Sequence, residues 1–438
     1  MIEYRNLRIG LLGAGNVGSQ VASLLLEHQT ELAERAGAGL ELVGIAVRNE
    51  SNTRRTELPR ELLTTDAESL ILSSDIVIEL MGGIEPAREL VLLALNSGAD
   101  VITANKALLA THGPELFELA EQVGAQLYYE AAVGGAIPII RPLHDSLAGD
   151  RVKRILGIVN GTTNFILDRM YTSGATLEQA LKLATELGYA EADPTADVGG
   201  FDAAQKAAIL ASLAFHTVVP LESVYREGIT NITLAQVEAA KAAGYVVKLL
   251  AICERIEDGT GSDGVSARVY PALIPEKHPL AAVHGAKNAV FVEAEAAGDL
   301  MFYGAGAGGI QTASAVLGDV VSAARRHVIG GPGIAESRHA NLQILPISAI
   351  TTRYQITLTV VDRSGVLAEI AEIFRNHNVS VETLVQSVEG VTGEANPPAT
   401  LVIGTHEASE SSLSATVADL AASTVVETVV SVLRVEGL

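Results

Sequence analysis

Two hydrophobic rhythms alternate along the first third of the chain. Apolar runs of strand length, Leu7–Leu12, Leu42–Val47, Asp75–Leu80, Asp100–Thr103 and Gln126–Tyr129, are separated by stretches with helical spacing, notably 17–35, 86–97 and 114–123. That alternation predicts repeated βα units and a parallel sheet. From about 134 the rhythm changes. Pro138 and Pro142 open a section of long Ala-rich helices followed by short β-like runs, which reads as an α+β domain. GGPGIAESRHANLQILPIS, between about 330 and 350, has no periodicity and reads as a linker. Beyond it YQITLTVVD, GVLAEIAEIFRNH, VSVETLVQSV, ATLVIGTH, SSLSATVADLAA and VVETVVSVLRV follow the order βαββαβ, a ferredoxin-like unit able to fold alone. VTGEANPPAT, from 391, reads as a hairpin loop rather than a site.

Composition sharpens this picture. The 438 residues exceed one compact core, and at ~150 residues per domain they divide into about three. Thirty basic against 52 acidic side chains leave a formal charge of −22, which argues against a nucleic-acid partner. With 48% apolar and 19% charged residues, long-range disorder is excluded. No run reaches the ~18 apolar residues of a membrane span. MIEYRNLRIGLLGAG lacks a basic segment leading into an apolar run, so the cytoplasm is expected. Cys253 is alone, which rules out an intramolecular disulfide or Cys-rich zinc site, and Leu249, Leu250, Ala251 and Ile252 before it predict a buried thiol.

Between the strand RIGLL and a helix starting near Val17, the segment GAGNVG (Gly13, Ala14, Gly15, Asn16, Val17, Gly18) has the context of a dinucleotide-binding turn. Gly13 suits a tight turn, Gly15 lets the backbone approach a pyrophosphate, and Gly18 allows close helix packing. The pyrophosphate would sit at the helix N-terminus, on free amides and the positive dipole end. The second strand runs into Arg48, with Arg54 and Arg55 shortly after, where an acid would bind the ribose of NAD. A basic group there pairs with a 2′-phosphate, favouring NADP with NAD as the other possibility; solvated loop arginines are the alternative reading. Met81-Gly82-Gly83 and Thr103-Ala104-Asn105-Lys106 end later strands at the carboxyl edge, making Thr103 and Lys106 site candidates.

The densest polar cluster of the middle section is ELGYAEADPTADVGGFDAAQKAAILASLAFH. Glu191, Asp193 and Asp197 lie on its loop, and 201–215 reads as an apolar helix charged only at Asp202 and Lys206, which share one face. Two charges on a buried helix must face a partner or a cavity. Oxidising an alcohol by hydride transfer requires a group to take the hydroxyl proton, for which Lys106 and Lys206 are available; Glu191 and Asp202 could hold a substrate ammonium.

In this order and spacing GAGNVG, TANKALLA, YEAAVGGAIPII, GIVNGTTNFIL, GYAEADPTADVGGFDAAQK and YGAGAGGIQTASAVLGD resemble the homoserine dehydrogenase family over about residues 7–325. The resemblance implies NAD(P)-dependent interconversion of L-homoserine and L-aspartate 4-semialdehyde on the route to threonine, methionine and isoleucine. It implies Lys206 as proton donor and acceptor, Lys106 as a second site lysine, and Gly188, Glu191 and Asp202 as homoserine contacts. It further implies a monovalent cation, typically sodium, on the carboxylate of Glu130 and the carbonyls of Val133, Gly135 and Ile137, oxygen ligands suited to a hard cation. Gly304, with Gly306, Gly308 and Gly309, would let a returning strand and helix close against the cofactor.

The C-terminal unit resembles an ACT regulatory domain, with Asp362, Gly365 and Leu367 at the turn into its first helix. That resemblance implies pairing in a homodimer or homotetramer and feedback by threonine, with a ligand-free dimerisation module as the alternative. The expected architecture is α/β: a Rossmann-type dinucleotide-binding domain (1–133 plus 306–330), an α+β catalytic and dimerisation domain (134–305), a linker (331–350) and a ferredoxin-like ACT domain (351–438). The other function class kept open is a catalytically inactive NAD(P)-binding amino-acid sensor, which would have no need of Asp202 and Lys206. Aspartate semialdehyde dehydrogenase is the runner-up among enzymes, and it would need Cys253 as a nucleophile.

Overall fold

The apolar runs of the first third lie side by side. In this computed structural model, which describes residues 6–49, 57–257, 263–331, 336–361, 363–388 and 399–437, they form a six-stranded parallel sheet. Its strands are β1 (Leu7–Leu12), β2 (Leu40–Ala46), β3 (Leu63–Thr64), β4 (Ile76–Glu79), β5 (Asp100–Thr103) and β6 (Leu127–Tyr128), in the order β3-β2-β1-β4-β5-β6. Helices cover both faces, which is why these strands read as continuous apolar runs. Ile9, Leu11, Ile76, Ile78 and Ile102 pack to one side and Leu12, Val77 and Val101 to the other. Arg54 and Arg55 lie outside the described residues.

The covering helices are α1 (Gly18–Glu27), α2 (Gln29–Ala36), α3 (Ala67–Leu72), α4 (Ala87–Asn96) and α5 (Lys106–Val123). Two differ from the sequence expectation. The stretch 17–35 is two helices broken at His28, and α5 starts eight residues before Pro114 rather than at it. The Asn105 side chain accepts the Leu108 amide at 3.1 Å, and Leu108 and Leu109 bury themselves, so the helix is anchored upstream and carries Pro114 inside. This places Lys106 in its first turn.

The second sheet begins with β7 (Val152–Ile158). It is followed by α6 (Gly161–Ser173), α7 (Leu177–Glu186), α8 (Thr195–Val198), α9 (Phe201–Ala214), β8 (Tyr225–Arg226) and α10 (Leu234–Ala242). Then come β9 (Tyr245–Ile256), β10 (Gly264–Pro275), β11 (Lys287–Ala294) and β12 (Gly298–Ala305). The β-like runs expected to be short include two 12-residue strands, β9 and β10, paired antiparallel along their whole length. Both are mostly buried on both faces, so they lack the alternation that marks a long strand. Helix α11 (Gly309–Ile329) returns to the first sheet, where Ala313, Val316, Val320, Ala323 and Ala324 join its core.

The linker is partly structured. Its β13 (Gln343–Ile344) pairs with β10, and the Leu345 amide donates to the Val265 carbonyl at 2.8 Å. The C-terminal unit has the expected order: β14 (Thr351–Val360), α12 (Val366–Asn376), β15 (Val381–Val388), β16 (Ala399–Thr405), β17 (Ala408–Ser409), α13 (Glu410–Ala422) and β18 (Val426–Val435). Residues 389–398, most of the expected hairpin loop, and Asp362 lie outside the described residues. The unit does not stand alone. The last residues of β18 pair with β10, Ala272 opposite Arg434 and Leu273 opposite Val435, giving one sheet ordered β12-β11-β7-β9-β10-β18-β14-β16-β15. Arg434 and Glu436 insert into the middle domain, where the Tyr270 hydroxyl and the Arg154 guanidinium both donate to Glu436. Among the described residues no helix is long and apolar enough to cross a membrane.

Candidate active site

At the carboxyl end of β1 the chain turns at Gly13, whose φ of 100° and amide bond to the Ala46 carbonyl fix the loop. A Cβ on Gly13 would stand 2.8 Å from the Leu80 carbonyl oxygen, and one on Gly18 2.0 Å from that of Gly13; both glycines are required by packing. Gly15 differs, because a Cβ there meets nothing within 4 Å. Its bareness faces a crevice of about 690 Å³ between the ends of β1, β2 and β4, lined by Ala14, Asn16, Arg48 and Met81 among others. Helix α1 starts at its edge without a side-chain cap, so amides are left for a ligand.

The other expected cofactor residues divide. Val17 is the N-terminal flanking residue of α1. The Thr103 hydroxyl is committed to Glu79 at 2.6 Å, and Glu79, fully buried, also accepts the amides of Met81 and Gly82. Glu79 thus shapes the turn after β4, a role its sequence context of an apolar strand did not announce. Gly304 lies on β12 against Ile137 and does not line the crevice.

A second cluster joins the two sheets. Asp202, in the first turn of α9, accepts the Lys206 ammonium on Oδ2 at 2.7 Å and the Asn160 amide nitrogen on the same oxygen at 3.0 Å. Its Oδ1 pairs with Lys106 at 3.1 Å, from the first turn of α5. Lys206 is 8% exposed and also donates to the Val159 carbonyl at 2.6 Å; the Lys106 side chain is 38% exposed. Burial pushes the Asp202 carboxyl up, but Lys206 and Lys106 outweigh it and hold Asp202 well below the usual carboxylate range. It is therefore ionised at any working pH. Asp197 is shifted the other way by its own burial, although Asn160 donates to it at 2.7 Å. Asn160 bridges both carboxylates from the loop before α6. It sits within the quoted GIVNGTTNFIL, but an asparagine in a helix-entry turn reads first as a cap, which it also is.

Not all expected substrate residues converge. Gly188 and Glu191 are on an exposed loop, and among the described residues neither is in the hydrogen bonds or ion pairs of the Asp202 cluster.

The Glu130 carboxylate, expected to ligate a cation, is 2% exposed and holds three backbone amides. It accepts the amides of Ile139 at 2.7 Å, Ile140 at 2.9 Å and Arg141 at 3.0 Å. Nearby, Asp319 of α11 accepts the Glu130 amide at 3.0 Å and the Arg141 guanidinium at 2.6 Å, tying the returning helix to this turn. Among the described residues no group of three His, Cys, Asp or Glu side chains could hold a metal ion.

Comparison with known proteins adds an independent line. The homoserine dehydrogenase family model matches residues 138–321, its NAD binding domain model 13–130 and the ACT domain model 354–423. A homoserine dehydrogenase from Corynebacterium glutamicum is 54% identical over 430 residues, covering 98% of this chain and 95% of the relative. The crystal structure of a homoserine dehydrogenase from Thiobacillus denitrificans superposes with a TM-score of 0.91 at 39% identity, over 99% of both chains. A hyperthermophilic archaeal homoserine dehydrogenase in complex with NADPH matches with a TM-score of 0.61 at 28% identity, over 75% of this chain and 99% of that one.

Proposed function

Since this chain belongs to the homoserine dehydrogenase family, we propose that its NAD(P)-dependent interconversion of L-homoserine and L-aspartate 4-semialdehyde is carried out at the Asp202–Lys206–Lys106 cluster. The observation that carries the reading is the sharing of one buried carboxylate by two lysines from different domains. When bound, the dinucleotide supplies the hydride acceptor, or in the reverse direction the donor. Lys206 takes the hydroxyl proton as the alcohol is oxidised and returns it on reduction. As the neutral amine Lys206 spends its two N–H donors on Asp202 and Val159 and turns its lone pair to the substrate hydroxyl; once it has taken the proton, the third N–H of the ammonium lies in that same direction and is what returns to the oxygen on reduction. Asp202 orients both lysines, and three of its roughly four lone-pair sites are used, leaving one for the substrate. The loop of Gly188 and Glu191 would bring its carboxylate to the substrate ammonium. The test is oxidation of NADPH with aspartate semialdehyde, followed by absorbance. Cofactor binding without turnover would favour the sensor reading instead.

The finer assignments rest on separate observations. Arg48 in the crevice supports NADP over NAD. The hard oxygens of the Val133, Gly135 and Ile137 carbonyls, with the lone-pair site that three amides leave on the Glu130 carboxylate, support a monovalent cation, probed by comparing sodium with choline salts. Gly365, at φ 96° before an α12 with no side-chain cap, supports amino-acid binding at the ACT domain, and threonine titration of the full chain tests it. Exposed Met301 and Tyr303 on edge strand β12 support a homo-oligomer, measurable by light scattering. A single, buried, unpaired Cys253 is consistent with the cytoplasm.

A further inference from the structure

We propose that Arg226 is a positioning residue for helix α9, and that Glu227 and Arg434 make its placement depend on the ACT domain. The inference rests on the assignment of Lys206 and Asp202 to the reaction.

Arg226 touches neither of those residues. Its guanidinium lies 3.5 Å over the ring of Phe201, the first residue of α9, and donates to the Gly199 carbonyl. The Ile229 amide donates to the Val198 carbonyl at 2.8 Å, so residues 226–229 run along the entry to α9. There is little slack between them. Gly200 takes a φ of 79°, and a Cβ on it would meet Arg226 Cγ and the Glu227 carbonyl at 3.3 Å. A Cβ on Gly228 would stand 2.3 Å from the Val198 carbonyl oxygen. Asp202 follows Phe201 directly and Lys206 is one turn on, so a shift of Arg226 tilts the carrier of both.

The next residue reaches the other way. Strands β8 and β18 pair with β10 four residues apart, Arg268 opposite Tyr225 and Ala272 opposite Arg434. Glu227 Oε1 therefore meets Arg434 Nη1 at 2.8 Å. The remaining face of Arg434 holds Glu410, the first residue of α13, at 2.6 Å, and the Tyr354 hydroxyl donates to the same Glu410 oxygen at 2.7 Å. The Arg434 guanidinium stacks 4.5 Å from the centre of Tyr270. Arg434 is thus one buried cation between a carboxylate of the ACT domain and one adjacent to Arg226. Any displacement of α13 or β14 redistributes its pairing.

The test uses the full chain. Arg226→Ala is expected to lower kcat/KM for homoserine by about 10- to 100-fold, since small misplacements of catalytic groups cost that much, with NADPH affinity and melting temperature near those of the parent. Arg226→Lys should recover part of the loss. Glu227→Gln should lose less, about threefold, and add nothing in the double variant with Arg226→Ala, because residues in one relay do not contribute independently. A folded Arg226→Ala enzyme with parental kcat/KM, or losses that multiply in the double variant, would overturn the proposal. If Arg226→Ala does not fold, Phe201→Leu removes the ring beneath the guanidinium, and parental kinetics in that variant overturn it equally. Lys206→Met measured alongside separates the two ideas: activity there sinks the catalytic assignment, whereas its loss beside an unaffected Arg226→Ala sinks the relay alone.

Discussion

The cofactor crevice and the Asp202 cluster solve opposite problems with opposite materials. The crevice is built from backbone: two glycines are closed in by neighbouring carbonyls, and a third, Gly15, is bare with open space before it. The cluster is built from side chains that must lose water, so each charge is matched; Asp202 alone accepts from Lys206, Asn160 and Lys106. A backbone site needs particular residues at fixed local spacing. A buried side-chain site needs partners from wherever the fold delivers them, here α5, α9 and the loop before α6. The first should therefore fail in binding when disturbed, and the second in turnover.

Lys206→Met is the largest effect that this contrast predicts. Loss of the proton carrier that Lys206 is proposed to be should cost about 10²- to 10⁴-fold in kcat. NADPH binding, followed by fluorescence titration, should hold, and a matching loss of cofactor affinity would erase the distinction between the two regions.

Gly15→Ala should do the converse. The added methyl meets no protein atom, so the melting temperature stays put while the KM for NADPH rises about tenfold, because the backbone no longer approaches the pyrophosphate closely. Gly18→Ala serves as the contrast: its methyl runs into the Gly13 carbonyl and should lower the melting temperature. If Gly15→Ala lost stability and kept its KM, Gly15 would be a packing glycine like its neighbours.

The same division sets what could be seen in the sequence. GAGNVG between a strand and a helix was readable because turn, amides and helix start are contiguous, and Asp202 with Lys206 was readable because i,i+4 charges on an apolar helix are local too. Lys106 was visible as a strand-end residue but not as a partner of Asp202, since that contact spans 96 positions of chain. Asn160 and Arg226 escaped for the same reason, as did the bond from Thr103 to Glu79. The amides on the Glu130 carboxylate were not visible either: nothing local says that amides nine to eleven residues on will fold back over it. The βαββαβ order was legible from periodicity. Its seam with β10 was not, because nothing in the spacing of the final strand reveals that Arg434 and Glu436 pair outside their own unit.

Cofactor choice is a smaller effect, because Arg48 sits at an open, hydrated edge where a charge pair is screened. Arg48→Ala should lower the ratio of kcat/KM for NADPH over NADH by about tenfold or less, with the NADH value little changed. An unchanged ratio would make Arg48 a solvated loop residue and move the choice elsewhere in the crevice.

The smallest expected effect is a reaction that hardly happens. Cys253 is fully buried on β9, its Sγ donates to the Ala207 carbonyl beside Lys206, and burial pushes the thiol up to about 12 from 9.0. Alkylation requires thiolate and access, so at pH 8 iodoacetamide should label the denatured chain quickly and the native chain only as fast as it opens. The sign of the pH dependence follows. With the native value above the unfolded one, the native state keeps a proton that the unfolded state gives up, so Cys253 leaves stability unchanged below about pH 9 and lowers it as pH rises from there towards 12. Cys253→Ser should remove that decline and leave turnover intact. Rapid native labelling would mean that the back of α9 opens readily, and the sealed cluster would then resemble the open crevice it has been set against.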